Sequence, residues 1–147
     1  MRARRTDRAQ LKQTRPQFPP KPRKVTGIAH ILAATTYSMG GLARLWQETA
    51  FRHEVAAFVV SLLMLALLGA SGLQMLGLVG LFLVLIAVEA LNTAIEAIVD
   101  RLSPHWEEYA KHAKDLGSLA VMCVLVGAGL YMAAVCIPLL FAQDVPV

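Results

Sequence analysis

Residues 55–88 run VAAFVVSLLMLALLGASGLQMLGLVGLFLVLIAV, 34 positions without an acidic or basic side chain. A helix crosses the hydrocarbon of a bilayer with about 20 residues, so this stretch is too long for one span and must fold back on itself. Gly69-Ala70-Ser71-Gly72 is its densest cluster of turn formers and is the expected turn. A first span is therefore expected at 54–69 and a second at 73–99. Leu116 to Ala142 supplies a third uncharged stretch, with Pro138 near its far end. Backbone groups find no water inside lipid, so such spans must be helical. The expected fold class is all-α and integral to a membrane, with three transmembrane helices.

Upstream, apolar residues recur at Ile28, Leu32, Met39, Leu42 and Trp46, close to helical spacing, with Thr36, Ser38, Arg44 and Gln47 between them. Trp46 and Tyr37 suit a water–lipid boundary, so 26–48 is expected to form an amphipathic helix on the membrane surface, with a kink or break at Gly40-Gly41. Residues 1–24 hold four prolines and few apolar side chains, and read as a disordered basic tail. The domain division is thus a tail at 1–24, a membrane domain at 25–142 and a short end at 143–147.

The whole chain of 147 residues carries a formal +4 and is 56% hydrophobic and 16% charged. That charge is a sum of opposites. Nine Lys or Arg against Asp7 alone give the tail +8, while five basic and nine acidic groups leave the remainder at −4. An acidic, apolar body excludes a nucleic-acid-binding domain. All 14 Lys and Arg lie before the first span or between Arg101 and Lys114, which places the N-terminus and the 100–115 loop in the cytoplasm and the C-terminus on the other side of the membrane. The two cysteines, Cys123 and Cys136, lie within the third apolar stretch and read as small buried hydrophobes.

Hydropathy does not explain the end of the second span. Glu89, Asn92, Glu96 and Asp100 stand at i, i+3, i+7 and i+11, within an arc of about 80° on a helix, opposite Leu91, Ile95 and Ile98. Carboxylates at membrane depth are costly and normally line an interior or a wet cavity. The alternative is that Glu96 and Asp100 sit among headgroups and pair with Arg101. Two more polar clusters lie at the same level: Glu48-Thr49-Ala50-Phe51-Arg52-His53-Glu54 before the first span, and Lys114-Asp115 before the third. Carboxylates beside a lysine and an amide suit a divalent ion carrying phosphate oxygens, and a spare carboxylate suits a general base on a hydroxyl. No phosphate-binding glycine loop or protein-kinase motif is present. From the residues alone, a phosphoryl-transfer site and a carboxylate-lined ion or proton transporter fit equally well.

These motifs, together with Ala113-Lys114-Asp115-Leu116-Gly117-Ser118, resemble the prokaryotic diacylglycerol kinases of the Gram-negative type, over roughly Gly27 to Ile137. The resemblance implies a homotrimeric helix bundle in the bacterial inner membrane, with sites shared between protomers, that moves the γ-phosphoryl of ATP with Mg2+ directly onto a diacylglycerol hydroxyl to give phosphatidic acid. Glu89 then matches the general base and Asn92 its orienting neighbour. Glu48 and Glu96 match the residues that hold magnesium with the nucleotide phosphates. Lys114, Asp115 and Tyr37 match nucleotide contacts, and Phe51, Arg52, Glu54 and Ser118 match positions around the lipid. The chain departs from relatives in having His30 and Ala33 where the surface helix usually carries an arginine and a lysine, and in the loop His105-Trp106-Glu107, to which no role transfers. A polyprenol acceptor, as in Gram-positive relatives, is the alternative on the same fold.

Overall fold

The computed structural model describes residues 27–142, so the expected 1–24 tail and 143–147 end, and Thr26 of the expected surface helix, lie outside the described residues. The order is α1 (Ile28–Leu45), α2 (Thr49–Leu67), α3 (Gly72–Leu102) and α4 (Glu108–Ala142). The last three are long and apolar enough to cross a membrane. The first turns of α1, up to Thr35, fall in one contact unit, and the chain from Thr36 on in another.

Helix α1 runs unbroken through Gly40-Gly41, contrary to the kink or break expected there. A helical glycine costs about 1 kcal/mol relative to alanine, less than the backbone bonds that a break would forfeit in the flanking turns. Its inward residue from Thr36 on is Leu45, 3% exposed, whereas Met39, Leu42 and Trp46 of the anticipated apolar stripe face outward.

Helix α2 starts at Thr49, ahead of the expected 54, and α4 at Glu108, ahead of the expected 116. The charges of Arg52, Lys111 and Lys114 limit the hydrocarbon segment but do not stop a helix: Arg52 donates to Thr49 Oγ1 at 3.1 Å, and Phe51 turns inward to 1% exposure against the Trp46 ring, 6.3 Å away and edge-on. At the opposite end, α2 closes at Leu68, Gly69 takes φ +74°, and Ser71 caps α3. Gln74 N donates to Ser71 Oγ at 3.3 Å while Ser71 N donates to Gln74 Oε1 at 2.7 Å, a reciprocal capping box whose N-cap lies two residues past the glycine.

Helices α3 and α4 form the main antiparallel pair, with α2 packed more lightly on α3. Two glycines let the pair approach. At Gly77 the Tyr131 ring lies on the α3 backbone and its hydroxyl donates to the Gln74 carbonyl. At Gly117, near the other end, the Asn92 carboxamide fills the space that a Cβ would take. Between α2, α3 and α4, Leu65, Leu78, Val135 and Cys136 form the buried cluster, and Phe58 stacks on Phe82 with ring centres 4.0 Å apart. Cys136 is buried as expected of a small hydrophobe; Cys123 is exposed. Large side chains on every span remain uncovered within one chain, among them Val60, Leu63, Leu83, Ile98, Val126 and Leu130. Such faces require lipid or further copies of the chain around them.

Candidate active site

Helix α3, with 31 residues, is longer than the hydrocarbon of a membrane is thick. Counted from Gly72 at about 1.5 Å per residue, Glu89 lies about 26 Å along the axis and Glu96 about 36 Å, against about 30 Å of hydrocarbon. With the hydrocarbon entered at Gly72 by an untilted helix, Glu89 would fall just inside its far boundary and Glu96 just beyond it. The apolar residues Leu91 and Ile98 are 65% and 59% exposed, while Glu89 on the opposite face is 6% exposed. The stripe therefore turns inward at Glu89, is half-buried at Asn92 and Glu96, and reaches the surface at Asp100.

Glu54 from α2, Glu89, Asn92 and Glu96 from α3, and Ser118 from α4 line one hollow of about 330 Å³, floored by Val121, Met122 and Leu125. Asn92 Nδ2 donates to Glu96 Oε1 at 3.2 Å, across one helical turn. Glu54 Oε2, Glu89 Oε2 and Asn92 Oδ1 are buried and have no hydrogen-bond partner among the described residues. Leaving a buried acceptor unpaired costs about 1–3 kcal/mol. Asn92 Oδ1 is packed on Gly117 of α4, whereas Glu54 and Glu89 both line the hollow, and an occupant suited to two carboxylates brings a donor such as an alcohol O–H, or positive charge. Glu54, Glu96 and Glu48 lie within electrostatic reach of Glu89, which strengthens that demand.

A second hollow, about 390 Å³, opens one turn further along α3. Asp100, Lys111, Lys114 and Asp115 line it with His105, Trp106 and Glu107 of the connecting loop. Lys114 Nζ sits 2.5 Å from Asp100 Oδ1, so Asp100 pairs across to α4 rather than with Arg101. Successive helix residues point about 100° apart, so Arg101 cannot reach across its own helix face as Lys114 reaches across the seam. Lys111 Nζ holds Asp115 Oδ2 at 2.6 Å. Buried Ser103 ends α3 by donating its N–H to Val99 O at 2.8 Å, and its hydroxyl bonds that of Tyr109, which ties the loop between the helices.

The remaining sequence-derived candidates stand apart from both hollows. Glu48 occupies the N-cap of α2 but makes no side-chain cap bond; its carboxylate instead takes Arg44 Nη1 at 2.5 Å. Tyr37 is 75% exposed on α1. Arg52 faces out, and Phe51 is enclosed within the chain rather than bordering either hollow. His53 and His112 are exposed. Among the described residues no three His, Cys, Asp or Glu converge closely enough to hold a metal ion. Two residues escaped the reading of the sequence. Gly117, buried against Asn92, sets how closely the acidic stripe meets α4; its only sequence signal is a glycine inside a helical run. Lys111 shows only an i,i+4 spacing to Asp115, which reads as solvated charge.

A family model described as prokaryotic diacylglycerol kinase matches residues 36–136. The chain is 50% identical over 114 residues to a diacylglycerol kinase of Sinorhizobium sp, covering 78% of this chain and 83% of that one. It is 42% identical over 101 residues to a diacylglycerol kinase of Pseudomonas aeruginosa strain PAO1, covering 68% and 82%. It is 36% identical over 104 residues to a diacylglycerol kinase of Escherichia coli strain K12, covering 70% and 85%. The match takes in both hollows, the first two spans and the third as far as Cys136, and the chain belongs to the prokaryotic diacylglycerol kinase family.

Proposed function

We propose that this diacylglycerol kinase transfers the γ-phosphoryl group of ATP to the free hydroxyl of diacylglycerol and yields phosphatidic acid, in a single in-line step at the cytoplasmic face of a bacterial inner membrane. The observation that carries the reading is the pair of unpartnered buried carboxylate oxygens on Glu54 and Glu89, two residues that line one hollow with Asn92 and Glu96. A lipid hydroxyl supplies the donor that these acceptors require, at the depth where a glyceride headgroup lies.

In this reading Glu89 is the general base. Its carboxylate takes the hydroxyl proton as the lipid oxygen attacks the γ-phosphorus, and the bond from that phosphorus to the β–γ bridging oxygen breaks to release ADP. Asn92 holds Glu96 and faces Glu89 one turn away. Lys114 gives up Asp100 for the phosphate oxygens, Asp115 lies beside the nucleotide, and Tyr37 contacts it from the surface helix. Phosphoryl transfer asks mainly for alignment and charge stabilisation, and no phosphoenzyme is needed.

The residues fit a magnesium ion that arrives on phosphate. Glu48 caps no backbone group, Glu96 borders the hollow, and no three-ligand protein cage competes with them among the described residues. Mg2+ commonly binds through one or two carboxylates plus substrate phosphates. Glu48 and Glu96 would hold it, and it would supply charge neutralisation on the transferred group. Glu54 and Ser118 would then border the lipid headgroup, Arg52 would face it from α2, and Phe51 would keep the Glu48–Glu54 turn in place from within.

The uncovered apolar faces and the separation of Glu48 and Tyr37 from the two hollows support a homotrimer in which neighbouring protomers complete each site. We place the membrane kinase domain at 25–142, with α1 on the membrane surface, a basic tail at 1–24 and a short end at 143–147. The experiment is transfer of labelled γ-phosphate in mixed micelles to diacylglycerol and to a polyprenol offered together. Labelled phosphatidic acid as the dominant product is expected. Dominant polyprenyl phosphate would move the acceptor assignment, and ATP-independent ion flux without lipid labelling would overturn the reading.

A further inference from the structure

We infer that Lys111 is a second phosphate-binding lysine, engaging the part of the nucleotide's phosphate chain that is not transferred. The inference rests on the proposed reading of Lys114 and Asp115 as nucleotide contacts.

Lys111, Lys114 and Asp115 stand at i, i+3 and i+4 on α4 and line the same 390 Å³ hollow. Three residues along a helix advance about 4.5 Å, so two flexible ammonium groups can follow successive phosphates of one chain. Lys114 lies on the side of the reacting hollow: it pairs with Asp100 and is within electrostatic reach of Glu96. Lys111 sits one turn further from Glu89, toward the Ser103–Glu107 loop, where the phosphates retained by the leaving nucleotide would lie.

The position of Lys111 is poor for the helix itself. It lies near the N-terminus of α4, where the helix dipole disfavours a cation. Its pairing with Asp115 runs Lys before Asp, the weaker order for an i,i+4 pair, and both side chains are 57% exposed. Such a pair contributes little to stability. A lysine held against two local preferences on the wall of a hollow, with a partner easily exchanged, is arranged for an anion from outside. Phosphate oxygens provide a charge-assisted bond of the kind lysine forms with phosphate groups.

The test uses full-length enzyme in mixed micelles. Lys111→Ala should raise the KM for ATP and the inhibition constant of ADP together, by about tenfold, with kcat within twofold and the KM for diacylglycerol unchanged. Lys111→Arg should restore most of the loss, and adenosine inhibition should not respond. A residue that only steadied Asp115 would change adenosine and ADP inhibition alike, which would overturn the inference. An ATP KM within twofold of wild type in Lys111→Ala, alongside a large rise in Lys114→Ala, would also overturn it and leave the nucleotide hollow standing. No response in either variant would remove both.

Discussion

Replacing Gly117 by alanine adds one methyl group at the point where α4 meets the Asn92 carboxamide oxygen, with the Asn92 side-chain carbon 3.3 Å behind it. Both cannot occupy that space. The cheaper adjustment is for Asn92 to swing away, because the atom in the way is a side-chain end rather than backbone. That movement breaks the 3.2 Å bond from Asn92 Nδ2 to Glu96, a loss of about 1–2 kcal/mol. Alanine returns about 0.5–1 kcal/mol through its better helix propensity, so stability should stay within about 1 kcal/mol of wild type. Activity should not be spared. Misplacing an aligned group by about 1 Å costs up to about a hundredfold, so kcat/KM should fall about 10- to 100-fold, or about 1.4–2.7 kcal/mol. Gly80→Ala is the matched control, because nothing lies within 4 Å of its new methyl group. The assay is the micelle kinase reaction beside unfolding of each variant in the same detergent. Wild-type kcat/KM in Gly117→Ala, or equal losses in both variants, would refute the role given to the Asn92–Gly117 contact.

Three further outcomes follow from the same structure. Tyr131→Phe removes the hydroxyl bond to the Gln74 carbonyl and should lower stability by about 1 kcal/mol in detergent unfolding, with kcat unchanged because the contact lies at the end of α3 away from Glu89. Ser71→Ala dissolves the capping box and should cost about 1 kcal/mol, again without a kinetic effect, read by the same two measurements. Chelation of divalent ions should abolish phosphoryl transfer yet leave the far-ultraviolet helical signal intact, because no protein-only metal cage supports the fold among the described residues. A loss of helix on chelation would contradict that.

The fold was legible where a single physical signal dominated. An uncharged run of 34 residues interrupted by Gly69 and Ser71 had to turn, and the φ of +74° and the capping box show why those residues stand there. The stripe from Glu89 to Asp100 was legible because a helical period places its members on one face whatever surrounds it. Helix starts were less so: charge marks where hydrocarbon ends, not where a helix ends, so Thr49 and Glu108 began earlier than hydropathy implied. Partner choice was not legible. Asp100 meets Lys114 and Asn92 meets Gly117 only once the register of α3 on α4 is set, and that register depends on shape across the seam rather than on spacing along it.

The proposed mechanism turns on the buried Glu89 carboxylate, which takes the proton of the lipid hydroxyl. Glu89→Gln keeps the shape and removes the basicity, so the direct measurement is single-turnover transfer of labelled γ-phosphate to diacylglycerol by the assembled variant, with ADP binding measured in parallel. Transfer should fall by about 10²- to 10⁴-fold, typical of a lost general base, with ADP affinity and assembly retained. Transfer within a few-fold of wild type would contradict it.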